Sequence, residues 1–252
     1  MTTVLITGAG SGFGRAAAVE LARRGHPVIA ATLTADEAEE LVTAHPELTT
    51  TKLDITDPDD CRQVEGWHVD VLVNNAGLGQ VGPLRLVPLE RIRQVFEVNV
   101  FGTLAMSQAV LPQMLDRGSG RILIVSSVAG LVAGPFTGPY SMTKHALQAM
   151  GSAMRAELAP AGIDVALVNP GPFATGFNDR MIEAPGAWYD RAEVRPEERE
   201  FHERARQRIT VNQLDPAEVA QCLADLVEAD TTELVNLVPD DILARMGLDK
   251  PH

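Results

Sequence analysis

Tyr140 and Lys144 stand four residues apart at the start of a run with helical periodicity, so their side chains share one helix face. An ammonium beside a phenol favours the phenolate and draws its pKa from about 10 towards neutrality. That makes Tyr140 a general acid/base candidate, with Lys144 as the group that tunes it. Ser127, thirteen residues before Tyr140, closes a β-branched run together with Ser126, and its hydroxyl is placed to hold a substrate oxygen. Proton transfer to or from an oxygen is the chemistry these three residues predict.

A second cluster, Thr7-Gly8-Ala9-Gly10-Ser11-Gly12-Phe13-Gly14, lies between a β-branched run and an amphipathic stretch. Glycines at such a junction allow a tight turn and let backbone approach a pyrophosphate at a helix N-terminus, where free amides and the dipole favour anions. Gly8, Gly10, Ser11, Gly12, Phe13 and Gly14 are therefore candidate nucleotide contacts. Two more polar motifs end apolar runs: Asp54-Ile55 after Leu53, and Asn74-Asn75-Ala76-Gly77. Ligands of open parallel sheets bind beyond the carboxyl ends of the strands. Asp54, Ile55, Asn75, Ala76 and Gly77 thus fall on the same rim as the glycine turn and join the nucleotide-binding candidates.

Holding these clusters together requires a regular alternation of elements. β-branched runs at 3–7, 28–31, 50–53, 69–73, 121–126, 163–168 and 234–238 alternate with helical patterns at 14–24, 36–44, 89–115, 140–159 and 216–228. Strand, helix, strand repeated in this way predicts an α/β fold: a doubly wound, mostly parallel, seven-stranded sheet with helices on both faces. No linker, internal repeat or low-complexity segment interrupts it, so residues 1–252 read as a single dinucleotide-binding and catalytic domain. The least regular stretch, 175–214, is too long for a mere connection and is expected to form a substrate lid. Its charge-dense part, 191–208, is equally consistent with a solvated helix.

Composition narrows the partners. Lys and Arg number 21 against 34 Asp and Glu, a net charge of −13, which argues against duplex nucleic acid and against an anionic membrane surface. No apolar run approaches the roughly 18 to 20 residues of a membrane span. The two cysteines, Cys61 and Cys222, are too few for a disulfide framework or a zinc cluster, so reduced thiols, no metal site and a cytoplasmic location are expected.

Taken in order, the motifs resemble the short-chain dehydrogenase/reductase family, of the single-domain Rossmann-like type. The resemblance runs from residue 3 to about residue 175. It rests on Thr7 to Gly14 as T-G-x-x-x-G-x-G, Asn74 to Gly77 as N-N-A-G, Asn99 within Val-Asn-Val-Phe-Gly, Ser127, Tyr140-x-x-x-Lys144, and Asn169-Pro170-Gly171 with Thr175. It implies an oxidoreductase that moves a hydride between a nicotinamide cofactor, NAD or NADP, and a carbonyl or alcohol carbon. Tyr140 would exchange the proton with the substrate oxygen and Ser127 would hold that oxygen. Lys144, with Tyr140 on the cofactor, would bind the nicotinamide ribose, and Asn99 would position a water that continues the proton relay. Pro170, Gly171, Phe173 and Thr175 would complete the cofactor site. A homodimer or homotetramer is implied as well.

The sequence departs from the family in the adenosine pocket. The acid by which relatives bind the ribose 2′-hydroxyl of NAD belongs at Thr32, a candidate cofactor contact that is neutral here. The arginine that would attract the 2′-phosphate of NADP is missing too, since Leu33 and Thr34 follow, and both cofactors stay open. The stretch Pro170-Gly-Pro-Phe173 and the C-terminal segment are similar to the hydroxysteroid and retinol dehydrogenase branch, which implies a bulky, lipophilic alcohol or ketone. Phe136, Met142, Phe173, Phe177, Met181 and Trp188 are candidates to line its pocket. The alternatives are a non-catalytic nucleotide-sensing regulator on the same fold, or a lyase or dehalogenase on this scaffold. Such relatives lose the tyrosine, the lysine or the glycine turn, and all three are present.

Overall fold

The structure is a computed structural model describing residues 1–187, 189 and 194–247. β1 (Val4–Thr7) is four buried residues without polar alternation, as a strand covered on both faces requires. The glycine turn leads into α1 (Gly12–Arg23), followed by β2 (Val28–Thr32), α2 (Ala35–Ala44), β3 (Thr49–Lys52) and the short α3 (Pro58–Gln63). β4 (Val71–Asn74) begins the second half. α4 (Leu89–Phe96) then passes through a π-helical turn, Glu97–Gly102, into α5 (Thr103–Arg117). β5 (Gly120–Val125), α6 (Gly138–Leu158) and β6 (Ile163–Pro170) follow. After them come α7 (Phe177–Glu183), α8 (Pro196–Thr210), α9 (Ala217–Glu228), β7 (Val235–Val238) and α10 (Ile242–Arg245).

All seven strands pair in parallel in the order β3-β2-β1-β4-β5-β6-β7. This is a single-domain, Rossmann-like, doubly wound fold, with the sheet wholly parallel. Alternation along the strands divides the core in two. Val4 and Ile6 pack with Ala17 and Leu21 of α1 and with Val219 and Leu223 of α9. Leu5 and Leu72 face the other way, onto Met106 and Val110 of α5 and Leu147 of α6. The chain reverses its winding between β1 and β4, which opens a crevice at the carboxyl ends of those strands.

One region differs from the sequence reading, and a second takes one of the two forms it allowed. The pattern at 89–115 contains the π-helical turn, and Asn99 sits inside it, 1% exposed. Between β6 and α9 the segment folds into α7 and α8. α8 begins with Glu197 and Glu198 and ends with Arg208, the charge order a helix dipole favours. Arg85 grips Glu198 with two bonds of 2.7 Å, tying α8 to the loop before α4. Trp188 and the beginning of the charge-dense run lie outside the described residues. No helix among the described residues is long and apolar enough to cross a membrane.

Candidate active site

The crevice is pinned by Thr7 and Asn75, the residues that end β1 and follow β4. The Thr7 hydroxyl accepts from the amides of Asn75 (3.0 Å) and Ala76 (3.1 Å), and the Asn75 carboxamide donates back to the carbonyls of Thr7 (2.9 Å) and Gly8 (3.1 Å). Gly8 turns the chain at φ +66°, and a Cβ there would stand 2.8 Å from Ala76 Cα. A Cβ on Gly14 would stand 2.4 Å from the Gly8 carbonyl oxygen, so only glycine lets α1 start this close to the strand ends. No side chain caps the first amides of α1 and no acid stands in its first turn. Its N-terminus is therefore open to an anion.

The turn forms one end of a cavity of about 870 Å³. Gly8, Gly10, Ser11, Gly12 and Phe13 line it, with Asp54, Ile55, Asn75, Ala76 and Gly77 on the neighbouring strand ends. Asp54 is fixed by the Thr56 amide (2.9 Å) and hydroxyl (2.7 Å). Pro170, Gly171, Phe173 and Thr175 close the wall beyond β6. A glycine cradle, uncapped amides and a cavity reaching from the turn to Tyr140 suit a dinucleotide.

At the other end of this wall Ser127, Tyr140 and Lys144 meet. The Tyr140 hydroxyl is hydrogen-bonded to the Ser127 side chain. Ser127 Oγ also accepts from the Ala129 amide (3.1 Å) and faces the Pro170 carbonyl (3.4 Å), while Asn169 donates to the Ser127 carbonyl (2.8 Å). Lys144 Nζ donates to the Val125 carbonyl at the end of β5 (2.8 Å) and lies 5.5 Å from the centre of the Tyr140 ring.

The electrostatics depart from the expectation that Lys144 draws the Tyr140 phenol towards neutrality. Burial pushes Tyr140 well above the ordinary tyrosine value, and the Ser127 hydrogen bond offsets only part of this. Burial also lowers Lys144 to about 7. The ammonium sits over the ring and bonds a backbone carbonyl, and desolvation dominates both groups. Tyr140 is thereby a protonated phenol at neutral pH.

Five expected residues stand elsewhere, Phe136 among them. Gly14 shapes the turn from behind the cavity wall. Thr32 is fully buried as the last residue of β2, its hydroxyl donating to the Thr34 carbonyl (2.8 Å), so it does not reach the cavity. The Asn99 carboxamide is spent on protein: it donates to the Leu78 carbonyl (2.9 Å) and to Thr143 Oγ1 (3.0 Å) and accepts from the Leu78 amide (2.7 Å). It holds the loop after β4 against α6, one residue before Lys144. Met142 points outward, 38% exposed, whereas Phe173, Phe177 and Met181 do line the cavity.

Phe136 supports that wall from beneath. It is buried at a left-handed φ of 73°, unusual for a bulky residue, and its ring stacks on His202 of α8 at 4.4 Å. Sequence reasoning also missed Leu33 and Glu37, which line the nucleotide end, and Arg180, Arg204 and Arg208, which line the end under α7 and α8. The only signal for Glu37 is its spacing from Thr34, a capping-box pattern.

The chain belongs to the short-chain dehydrogenase family, whose pattern matches residues 2–185. It is 34% identical to human 17-beta-hydroxysteroid dehydrogenase type 1 over 99% of this chain and 82% of that protein. It is 41% identical to the uncharacterised oxidoreductase YusZ of Bacillus subtilis, a match spanning 69% of this chain and 65% of that relative's length. A short-chain dehydrogenase from Streptomyces avermitilis superposes with a TM-score of 0.84 at 32% identity, covering 98% of this chain and 90% of the other. A Burkholderia phymatum member in complex with NAD gives 0.79 at 26% identity over 100% and 96% of the two chains. A Sphingobium yanoikuyae member in complex with NADPH gives 0.77 at 25% over 98% and 91%. The chain is accordingly an oxidoreductase of this family, solved members of which are in complex with NAD or with NADPH.

Proposed function

We propose that the protein interconverts a secondary alcohol and a ketone on a bulky, lipophilic substrate. The observation that carries this is the meeting of Ser127, Tyr140 and Lys144 on one wall of a cavity whose neighbouring surface is apolar, with Phe173, Phe177 and Met181. A dinucleotide held with its pyrophosphate at the glycine turn and its nicotinamide ribose beside Lys144 would supply or take the hydride. The chain's own groups do the rest. Ser127 orients the substrate oxygen, and Tyr140, protonated at neutral pH, donates to it in the reductive direction. Lys144 binds beside the nicotinamide ribose and keeps Tyr140 within a hydrogen-bonded wall. Asn99 acts as a positioning residue through Leu78 and Thr143. The segment 175–214 serves as the lid, and its α7–α8 part excludes water over the apolar wall.

A nucleotide-sensing regulator would need neither Tyr140 nor Lys144 on the cavity wall, and both are there. The test is a panel of ketones and secondary alcohols of graded bulk, assayed with NADH and NADPH in parallel by absorbance of the reduced nicotinamide. Turnover that rises with apolar bulk is expected. Tight nucleotide binding with no turnover on any member would favour the regulator instead. The reading extends to a cytoplasmic homodimer or homotetramer, supported by the two free cysteines and by exposed Phe101 in the helical stretch 89–115 and Met142 in the helical stretch 140–159. Light scattering that gives a monomer at micromolar concentration would overturn the assembly.

A further inference from the structure

Resting on that reading of the cavity as a dinucleotide site, we propose that Glu37, in the first turn of α2, selects NAD over NADP. The end of β2 offers the nucleotide no side chain, since Thr32 is buried and bonded to Thr34. The cavity wall there is Leu33 and Glu37. The Glu37 carboxylate is fixed by the helix it starts: Oε2 accepts from the amides of Leu33 (3.0 Å) and Thr34 (3.2 Å), while the Thr34 hydroxyl accepts from the Glu37 amide (3.2 Å). This reciprocal cap stops the side chain from swinging into solvent. A Cβ placed on Gly10 would meet Glu37 Cδ at 3.1 Å, Oε2 at 3.2 Å and Oε1 at 3.4 Å, so the carboxylate stands directly against the glycine turn. Oε1 has no hydrogen-bond partner among the described residues and is free to accept from a sugar hydroxyl.

The distribution of cations supports the same assignment. Among the described residues, the cationic side chains on the cavity wall are Lys144, Arg180, Arg204 and Arg208, all on α6, α7 and α8. Arg15, the cation nearest the turn in sequence, is not on the wall and lies 3.5 Å from Glu40. The nucleotide end therefore presents Glu37 and Asp54 with no counter-charge. A ribose with free 2′- and 3′-hydroxyls donates to such a carboxylate. A 2′-phosphate would bring a dianion against it.

The assignment is tested by equilibrium binding of NADH and NADPH, followed by nicotinamide fluorescence, to wild type and Glu37→Gln, with thermal melts to monitor the cap. Wild type should bind NADH at least about tenfold more tightly than NADPH, because like charges in contact are strongly unfavourable. Glu37→Gln keeps an amide oxygen for the cap and removes the charge, so NADPH affinity should rise by about tenfold while NADH affinity changes by only a few-fold. Thr34→Ala, which weakens the same helix end but leaves the carboxylate, should keep the preference for NADH. If wild type binds NADPH as tightly as NADH, or Glu37→Gln leaves the ratio unchanged, Glu37 is not the selector, and the oxidoreductase reading is untouched. Failure to bind either nucleotide would overturn that reading and this assignment together.

Discussion

The two ends of the cavity are built on opposite principles. At the nucleotide end the glycine turn presents backbone: glycine Cα atoms, uncapped amides of α1 and a Thr7–Asn75 lock between adjacent strands, with the Leu33, Glu37 and Asp54 side chains only at its edge. Its tolerances are set by contacts that no Cβ survives. At the far end the surface is side chain: Phe177 and Met181 of α7, with Ala205 and Ile209 of α8 and the guanidinium groups between them. A backbone site fits one shape of ligand and needs a fixed sequence pattern, whereas a side-chain site is re-cut by substitution without loss of fold. Tyr140 stands at the junction, in ring contact with Phe177 (5.8 Å) on one side and hydrogen-bonded to Ser127 on the other.

The largest effect should come at that junction. Tyr140→Phe keeps the ring against Phe177 and removes the proton donor, so turnover should fall by about 10² to 10⁴ while nucleotide affinity stays within about twofold. Retained turnover above a tenth of wild type would move the acid/base role elsewhere.

Lys144 offers a second test, through stability. Burial lowers its pKa to about 7 in the fold, against an ordinary lysine value of 10.5. Between these values the unfolded chain binds more protons, so this group makes the fold more stable as pH rises from 7 and costs most below 7. Lys144→Met removes this dependence. Its stability advantage over wild type should shrink with rising pH by up to about 1.4 kcal/mol per unit, read from melts between about pH 7 and 9, below the titration of Tyr140. A constant difference across that range would show that the ammonium is not desolvated.

Within the backbone end, Gly14→Ala should destabilise the fold by about 1 to 3 kcal/mol and weaken nucleotide binding with it, since the added methyl meets the Gly8 carbonyl oxygen. At the side-chain end, His202→Ala unstacks Phe136 and should raise KM about two- to tenfold, the worth of one aromatic pair, with NADH affinity unchanged. If both substitutions acted on nucleotide and substrate alike, the two ends would be one cooperative unit.

That contrast also explains what the sequence made legible. Strands buried on both faces show as apolar runs, and the glycine turn is legible because its residue types are forced by sterics. Ser127, Tyr140 and Lys144 are legible because strand end and helix face fix them. The π-helical turn at Glu97–Gly102 leaves no compositional mark, and α7 and α8 are hard to read because they bury only Met181, Ile182 and Ala205, in a small cluster apart from the two faces of the sheet. Glu37 belongs to a helix cap by pattern, and its place against Gly10 follows only from how α2 returns beside α1.

The smallest effect is expected of Thr32→Val, and substitutions at this position separate strand register from cofactor recognition. β2 pairs with β3 through Thr32 opposite Lys52, one residue beyond the run legible at 28–31, and Thr32 is fully buried there with its hydroxyl donating to backbone carbonyls. Thr32→Val removes the hydrogen bond to the Thr34 carbonyl and keeps the shape. The cost should be about 0.5 to 1.5 kcal/mol of stability, the net worth of one hydrogen bond. NADH and NADPH affinities should stay within about twofold of wild type. Thr32→Asp is a sharper probe. It would bury a carboxylate facing the carbonyl oxygens of Thr34 and Thr51, at 2.8 and 3.4 Å from the present hydroxyl. An unpaired buried charge costs several kcal/mol, so the melting temperature should drop sharply. A Thr32→Asp protein that melts like wild type and binds NADH more selectively would show that Thr32 faces the ribose. The register of β2, and with it the role given to Glu37, would then be wrong.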